Sequence, residues 1–319
     1  MSENTIAVLI EHRGAQVAHP SVEALTLARG LGRPVAVWLG QAPTDDALAQ
    51  LAQYGADEVR VVGAGSQVRL PAVAAAAVEA ASGDAAVVLA VSTFVNKEIL
   101  TRLALMTGAG VVVDAAGAQW VDGAIETDQT VFAATWNVRT RMATDRAIVA
   151  VRPNTTQAVP SPEVGRAQVV EVAVTVPATR ESMVAVQVQP PSDEVPLAEA
   201  AVVVSGGRGT SGDYTLVREL AQLLGGAVGA SRDATDEGWI GHEHMVGQTG
   251  TTVTPRLYVA CGISGAVHHR GGMQASGTIV AVNIDPEAPI FEIADFGVVG
   301  DLNDVLPQVI ERVAAHRAS

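Results

Sequence analysis

The chain has 319 residues, of which 48% are hydrophobic and only 3% aromatic, so we expect two domains whose cores consist of Val, Ala, Leu and Ile. The formal net charge of −14, with no basic cluster to neutralise phosphates, argues against a nucleic-acid partner. The single cysteine, Cys261, excludes an intrachain disulfide and fits a reducing compartment.

The beginning of the chain, MSENTIAVLIEHRG, has no basic region followed by a long apolar stretch, as a signal peptide would. The apolar runs elsewhere are much shorter than a membrane span. We therefore expect a soluble, cytoplasmic protein without direct membrane insertion.

The first half of the chain alternates between short apolar runs, typical of buried strands, and helical segments. The predicted strands are 5–10, 34–39, 58–62, 85–91 and 110–113, and the predicted helices are 21–32, 45–54, 70–81 and 97–107. Short links between alternating strands and helices predict a parallel sheet with helices on both faces.

After about residue 114 the pattern changes to strands separated by turns. These predicted strands are 119–121, 124–127, 131–135, 146–151 and 168–176. They could continue the sheet in antiparallel fashion or form an appended hairpin layer. The segment 186–197, with three prolines and two acids, then predicts a linker. We place an N-terminal α/β domain at 1–190, the linker at 191–197 and a second domain at 198–319.

The second domain repeats the alternation. Its predicted strands are 201–204, 227–229, 257–261 and 278–282, and its predicted helices are 213–224, 233–238, 264–272 and 301–316. The last helix carries an apolar face made of Leu302, Val305, Leu306, Val309, Ile310 and Val313. Two α/β domains are the expected fold class.

The segment Gly207–Gly212, GRGTSG, lies between an apolar strand and a helix, where a dinucleotide-binding fingerprint would lie. In that fingerprint, glycines allow close approach of the backbone to a pyrophosphate at a helix N-terminus. An acid for the adenine ribose would come from 231–233, where Arg232 stands beside Asp233. The alternative is a tight strand–helix turn without a ligand.

Several other residues near predicted strand ends could contact a ligand. Arg232 could bind phosphate or stack on a planar ring, or form a surface ion pair with Asp233 or Asp236. Gln248–Gly250 suits hydrogen bonding to a heterocycle, although such a segment is more often simply a loop. Asn283 and Asp285 end a strand, and Asp301 could bind a ribose or cap the last helix.

Ser264 and Gly265, at a predicted helix start, indicate a second anion site.

The histidines indicate a ligand site more than a metal site. His268 and His269 project about 100° apart on a helix, so only one can face a given ligand. His242 and His244 could point the same way in a strand, but without a third ligand a solvated loop is the favoured interpretation. We expect no metal.

Nucleophile elbows, zinc-protease motifs, P-loops and nucleophile–base pairs are not recognisable in the chain. We therefore expect no catalytic residues of the acid–base or nucleophilic kind. The site is rich in hydrogen-bonding groups instead.

Five segments of the C-terminal half carry a resemblance to a known family. The matching segments are SGGRG at 205–209, VGASR at 228–232, VGQTG at 246–250, LYVACGISGAVHH at 257–269 and IVAVNIDPEAPIFEIADFGVVGDL at 279–302. They closely resemble the electron transfer flavoprotein α subunit over essentially all of 200–319. The N-terminal half resembles it more loosely, through its opening strand and helix and VRPN at 151–154.

The resemblance implies a nucleotide-hydrolase-like N-terminal domain that contacts a β subunit and a Rossmann-like C-terminal domain that binds FAD. It implies a heterodimer whose β subunit holds AMP or a second FAD. It further implies electron donors such as acyl-CoA dehydrogenases and a membrane quinone oxidoreductase as acceptor.

The resemblance also implies a set of cofactor-binding residues. They are Arg208, Ser231, Arg232, Val246, Gly247, Gln248, Thr249, Ser264, Gly265, Ala266, Val267, His268, His269, Asn283, Asp301 and Leu302. In this pattern Arg232 lies over the flavin ring, Thr249 reaches N5 and His269 reaches the C2 carbonyl. Ser264–His269 runs along the pyrophosphate and ribityl chain, while Asn283 and Asp301 serve the adenosine end.

The chain departs from the family pattern at Thr251 and Ile284, where lysines are common, and at His268, where glutamine is common. The missing lysines change the local charge around the FAD, but its binding is still expected. The competing hypotheses are an NAD(P)-dependent dehydrogenase that uses GRGTSG and a non-redox nucleotide-binding regulator. Because an electron carrier needs donors to the flavin and no acid–base pair, the carrier hypothesis fits the residues best.

Overall fold

A computed structural model describes residues 4–132, 134–186 and 195–318. The chain divides into two compact units. One comprises residues 1–130 and 137–189, and the other comprises residues 131–136 and 190–319. The predicted linker at 191–197 falls largely on 191–194, outside the described residues, so the domain boundaries stay a prediction. Within the described ranges, no helix is long and apolar enough to cross a membrane.

The N-terminal unit is built on one large sheet. In chain order, its strands are β1 (Thr5–Leu9), β2 (His12–Arg13), β3 (Gln16–Val17), β4 (Arg33–Leu39), β5 (Glu58–Val62), β6 (Val87–Val91), β7 (Gly110–Val121), β8 (Ala124–Val131), β9 (Trp136–Arg141), β10 (Ala147–Val151) and β11 (Gln168–Glu171). Its helices are α1 (His19–Leu31), α2 (Asp45–Gln53), α3 (Pro71–Ser82) and α4 (Phe94–Thr107), with a 3₁₀ helix at Gly65–Arg69.

Nine of these strands form the sheet, in the order β11-β5-β4-β1-β6-β10-β7-β8-β9, while β2 and β3 form a separate small hairpin. Every neighbouring pair from β11 to β7 is parallel. Leu25 of α1 and Leu51 of α2 pack in the core on one face, and Val78 of α3 and Leu100 of α4 pack on the other. The central strands β6 and β10 are apolar along their whole length because helices cover both faces.

The strands β7, β8 and β9 form one end of the large sheet. The predicted strands 110–113 and 119–121 are parts of one strand, β7, whose register shifts between Ala115 and Gly117. β8 pairs with β7 in antiparallel fashion and β9 follows it, so these strands continue the sheet and form no separate layer.

The predicted strand at 131–135 is wrong. Phe132 and Ala134 have φ values of 52° and 62°, in the left-handed region that turns use, and residue 133 lies outside the described residues. Phe132, Ala134 and Thr135 therefore lie in turn conformation between β8 and β9. The predicted strand 168–176 is also shorter in the structure, where β11 ends at Glu171.

The C-terminal unit repeats the architecture on a smaller scale. Its strands are β12 (Val202–Gly206), β13 (Ala227–Ala230), β14 (Leu257–Cys261), β15 (Thr278–Asn283) and β16 (Phe296–Val299). Its helices are α5 (Thr215–Leu224), α6 (Arg232–Asp236), α7 (Val267–Met273) and α8 (Leu302–Ala318), with 3₁₀ helices at Arg208–Thr210, His242–His244 and Pro289–Glu292.

The five strands of this unit are all parallel and lie in the order β13-β12-β14-β15-β16. Leu220 of α5 and Leu306 of α8 pack on one face, and Met273 of α7 packs on the other. The predicted fold class of two α/β domains, with a Rossmann-like arrangement in the second, is confirmed. The apolar face predicted for the last helix is also correct for Leu302, Leu306 and their half-buried neighbours.

Candidate functional site

The candidate site lies where the strand order of the C-terminal sheet reverses. β12 connects to β13 on one side, whereas β14 pairs with β12 on the other, so the chain leaves the carboxyl ends of β12 and β14 in opposite directions. Ligands of open α/β sheets bind in the crevice at such a switch point.

The two turns that leave these strands are tied together by their backbones. The Gly207 N–H donates to the Cys261 carbonyl at 3.0 Å, and the Gly209 N–H donates to the Gly262 carbonyl at 3.1 Å. A Cβ on Gly209 would come within 2.7 Å of the Gly262 Cα. Glycine is required there because the two turns are in backbone contact.

The backbone hydrogen bonds of Gly207–Gly212 decide between its two interpretations, a dinucleotide fingerprint and a tight strand–helix turn without a ligand. The backbone N–H groups of Gly207, Gly209, Thr210 and Ser211 all donate to protein carbonyls, the first two to the end of β14 and the turn after it, and the last two within their own turn. A dinucleotide fingerprint needs such groups free to face the pyrophosphate. The dinucleotide interpretation of this motif is therefore not supported, and the structure shows a tight strand–helix turn.

A cleft of about 540 Å³ opens above the turns and is lined entirely by the C-terminal unit. Its wall consists of Arg208, Gly209, Ser211, Ser231, Arg232, Asp233, Gly262, Ile263, Ser264, Ala266, His269, Val282, Asn283, Ile284, Asp285, Ala288, Pro289, Gly300, Asp301, Leu302 and Asn303. The volume is within the usual range of about 300–1,000 Å³ for ligand sites.

Two arginines stand at one side of the cleft. Arg208 Nε lies 3.1 Å from Asp233 Oδ2, and Arg232 Nε lies 3.3 Å from Asp236 Oδ2. The Arg208 and Arg232 side chains are 70% and 64% exposed. Exposed pairs of this kind contribute about 0–1 kcal/mol, so both guanidinium groups can turn towards an anion in the cleft at little cost.

Ser231 holds the first turn of α6 in place beside them. Its hydroxyl accepts a hydrogen bond from the Ala234 N–H at 3.4 Å, and its own N–H donates to the Gly206 carbonyl at 3.0 Å. These contacts fix the end of β13 against the end of β12.

The loop after β14 forms another side of the cleft. The predicted helix start at Ser264 is wrong, because α7 begins only at Val267. Gly262 and Gly265 have φ values of 62° and 84°, which a regular helix cannot include. The Ile290 N–H donates to the Ser264 carbonyl at 2.9 Å, so the loop is anchored to the 3₁₀ helix at Pro289–Glu292.

The histidine pair separates as helical geometry requires. His268 is exposed, whereas His269 is only 7% exposed and its side chain reaches the cleft wall. His269 Nε2 lies 2.9 Å from the Tyr258 hydroxyl. Burial lowers the pKa of His269 from its ordinary 6.5 to about 4, while the Val246 carbonyl, which favours the protonated ring, opposes this shift. Nδ1 makes no hydrogen bond of normal geometry to any described residue.

The segment 246–249 lies behind α7 and not in the cleft wall. Val246 is buried, and its N–H donates to the Ala230 carbonyl at 2.9 Å. The Gln248 N–H donates to the His268 carbonyl at 2.8 Å. A Cβ on Gly272 would lie 2.4 Å from the Gly247 Cα, so α7 packs directly on this segment. The role of Val246, Gly247, Gln248 and Thr249 at a flavin stays a prediction.

The far side of the cleft is formed at the end of β15 and the start of α8. Asn283 Nδ2 donates to the Ile263 carbonyl at 2.8 Å, and Asn283 Oδ1 accepts from the Asp285 N–H at 3.0 Å. Asp301 Oδ1 accepts from the Asn303 N–H at 2.8 Å, as expected for the predicted helix cap. Leu302 is buried against Gly262 and forms the apolar floor there.

The other histidine pair is not in a strand. His242 and His244 belong to a 3₁₀ helix, and His244 Nδ1 is 2.9 Å from the Val228 carbonyl. Over residues 4–132, 134–186 and 195–318, no group of three or more His, Cys, Asp or Glu side chains could hold a metal ion.

The structure thus brings together nine of the sixteen predicted cofactor residues in one cleft wall. These nine are Arg208, Ser231, Arg232, Ser264, Ala266, His269, Asn283, Asp301 and Leu302. Besides the segment 246–249, it leaves out Gly265, Val267 and His268, whose neighbours line the cleft. Sequence reasoning missed Ala288, Pro289 and Gly300. Their positions after β15 and β16 are the signal that could have found them.

Comparison with known proteins identifies the family of the chain. The profile of the "Electron transfer flavoprotein domain" matches residues 6–177, and that of the "Electron transfer flavoprotein FAD-binding domain" matches residues 196–274. The chain is 42% identical over 319 residues to the electron transfer flavoprotein subunit alpha of Mycobacterium leprae (strain TN), which covers 97% of this chain and 98% of the relative. It is 34% identical over 317 residues to the Bacillus subtilis (strain 168) protein of the same description, with 96% of each covered.

Proposed function

Because this chain belongs to the electron transfer flavoprotein α subunit family and carries its FAD-binding domain, we propose that it is the electron-carrying subunit of a heterodimer with a β subunit. In this role it accepts electrons from dehydrogenases, such as acyl-CoA dehydrogenases, and passes them to a membrane quinone oxidoreductase. It turns over no substrate of its own. AMP or a second FAD is proposed for the β partner, and the N-terminal domain is proposed to contact it.

The observation that carries the proposal is the cleft at the sheet's switch point, with the buried His269 in its wall. A buried ring nitrogen without a protein partner is costly unless a ligand or water occupies it. FAD offers hydrogen-bonding groups to such an atom and a pyrophosphate to cationic side chains. The residues present therefore fit the cofactor.

Each side of the cleft supplies a different part of the proposed binding. The guanidinium groups of Arg208 and Arg232 would bind negative charge, and their exposed ion pairs leave them free to do so. The hydroxyl groups of Ser231 and Ser264 offer hydrogen bonds, and Asp301 offers carboxylate oxygens to a sugar hydroxyl. The bound FAD supplies the electron-accepting and electron-donating chemistry. The protein binds it, orients it and stabilises its charge.

We also propose a cytoplasmic location, because the single cysteine of the chain excludes an intrachain disulfide and fits a reducing compartment.

That cysteine, Cys261, is buried, and burial raises the pKa of its thiol to about 12. The thiol is therefore unreactive in the folded chain, and no redox role is assigned to it.

The proposed role is tested by reducing the FAD-loaded complex of this chain with its β subunit. We expect a reduced acyl-CoA dehydrogenase to bleach the flavin absorbance in a stopped-flow experiment, whereas the same dehydrogenase without its substrate leaves it unchanged. Hydride transfer from NAD(P)H to a small substrate by this chain alone would support the dehydrogenase alternative instead. Binding of AMP without FAD would support a non-redox regulator.

A further inference from the structure

His269 lines the proposed FAD site, and the buried Tyr258 is hydrogen-bonded to it. Tyr258 lies on β14, is fully buried and makes a 2.9 Å hydrogen bond to His269 Nε2. The His269 ring is 7% exposed and reaches the cleft wall. Nδ1 is buried and has no hydrogen-bond partner of normal geometry among the described residues.

A neutral imidazole has one N–H donor and one bare nitrogen acceptor, and its hydrogen-bond partners decide which is which. Burial strongly raises the pKa of Tyr258, so its phenol is protonated and has one O–H to donate. The phenol oxygen lies 2.9 Å from His269 Nε2, so the phenol proton is directed to the histidine.

With the phenol proton directed to Nε2, the hydrogen of the neutral ring lies on Nδ1. Nδ1 is buried and has no hydrogen-bond partner of normal geometry among the described residues, while the ring lines the cleft. The hydrogen bond from Tyr258 therefore indicates that Nδ1 is the donor and Nε2 the acceptor.

We propose that Tyr258 is a positioning residue that donates to His269 Nε2, fixes the Nδ1–H tautomer and so presents an N–H donor towards the proposed FAD site. The inference rests on the proposed function for the identity of the ligand. The tautomer itself is a property of the protein. An N–H donor favours electron-rich acceptor atoms of the ligand, and the other tautomer would present a bare nitrogen that repels them.

The test is ¹⁵N nuclear magnetic resonance of the complex with its β subunit, labelled at histidine, at neutral pH. The His269 signals are assigned by their loss in His269→Gln. Tyr258→Phe removes only the phenol oxygen. Tyr214→Phe is the matched control, because Tyr214 is also a buried tyrosine of this unit but its hydroxyl donates to the Gly206 carbonyl at 2.9 Å.

In the unmodified complex and in Tyr214→Phe we expect a protonated Nδ1 and a bare Nε2. In Tyr258→Phe we expect a mixture of tautomers and FAD retention weaker by about threefold to tenfold, the range for one lost hydrogen bond. A bare Nδ1 in the unmodified complex, or an unchanged Nδ1–H tautomer in Tyr258→Phe, would overturn the proposal.

The measurement on the unmodified complex is decisive even if Tyr258→Phe fails to fold. The tautomer is also readable without FAD, so a colourless complex would defeat the proposed function but leave the tautomer result standing. An FAD-loaded complex with the wrong tautomer would defeat only the role of Tyr258.

Discussion

The substitution Gly265→Ala tests how tightly the loop after β14 is fixed at the cleft. Gly265 has a φ of 84°, and a Cβ there would lie 2.5 Å from the Ile290 N and 2.6 Å from its Cα. Alanine at this position destabilises the folded protein in two ways. Its backbone must adopt a left-handed conformation, and its Cβ collides with the backbone of Ile290, which cannot move aside as a flexible side chain could. Gly225→Ala is the matched control, because Gly225 has a φ of 66° in the same unit but nothing within 4 Å of a Cβ.

The left-handed conformation costs about 1–2 kcal/mol for an L residue and applies to both variants. Overpacking against the Ile290 backbone adds about 1–3 kcal/mol to Gly265→Ala alone. We therefore expect the free energy of unfolding to fall by about 1–2 kcal/mol in Gly225→Ala and by about 2–5 kcal/mol in Gly265→Ala.

Urea unfolding of the purified complex, followed by tryptophan fluorescence and by release of FAD, measures both effects. Because the Ser264 carbonyl accepts a hydrogen bond from the Ile290 N–H at 2.9 Å, displacement of this contact also widens the cleft. Gly265→Ala should therefore lose FAD at lower urea concentration than Gly225→Ala. Equal destabilisation and equal FAD retention in the two variants would refute the proposed packing.

Three further changes probe other sides of the cleft. Arg232→Ala should weaken FAD retention or lower the flavin's first reduction potential, since the exposed pair with Asp236 leaves the guanidinium free for the ligand; unchanged FAD content and potential would count against this role. Asn283→Ala should cost about 1–3 kcal/mol of unfolding free energy, measured in urea, because the Ile263 carbonyl loses its donor. The folded-state pKa of about 4 for His269 lies below its ordinary 6.5, so the unfolded chain binds more protons between these values. The unfolding free energy should thus rise with pH across that window, by at most about 1.4 kcal/mol per pH unit from this residue, and His269→Gln should reduce the slope.

The sequence predicted most of the strands because the central ones are buried on both faces and therefore continuously apolar. β6, β10 and β14 are examples, and each was found within a few residues. β16 was missed because it is a four-residue strand at the edge of its sheet, with all four residues exposed. Nothing in such a segment separates it from a loop until its partner strand is known.

The start of α7 was misplaced for a different reason. Glycine pattern and polarity suggested a helix from Ser264, but Gly262 and Gly265 adopt left-handed backbone conformations that keep the loop extended. The contact that requires this shape comes from Ile290, 25 positions after Gly265. Local propensity contains no information about such a contact.

The candidate site could be predicted in outline because parallel strands bring their carboxyl ends to one edge of the sheet. Ser264, Asn283 and Asp301 meet in the cleft for this reason. The partner of His269 could not be predicted, because Tyr258 lies inside an apolar strand and resembles an ordinary core residue in the sequence. Only the packing of α7 on the sheet brings the phenol to the imidazole.

The measurement that tests the central claim most directly is the FAD content of the complex with its β subunit, compared with that of Ala266→Trp. Ala266 is exposed and lines the cleft, so an indole there fills the proposed site without disturbing the core. We predict a visible flavin spectrum for the unmodified complex and a loss of one FAD per complex in a folded Ala266→Trp variant. A colourless unmodified complex, or full FAD content in Ala266→Trp, would contradict the claim that this cleft is the FAD site.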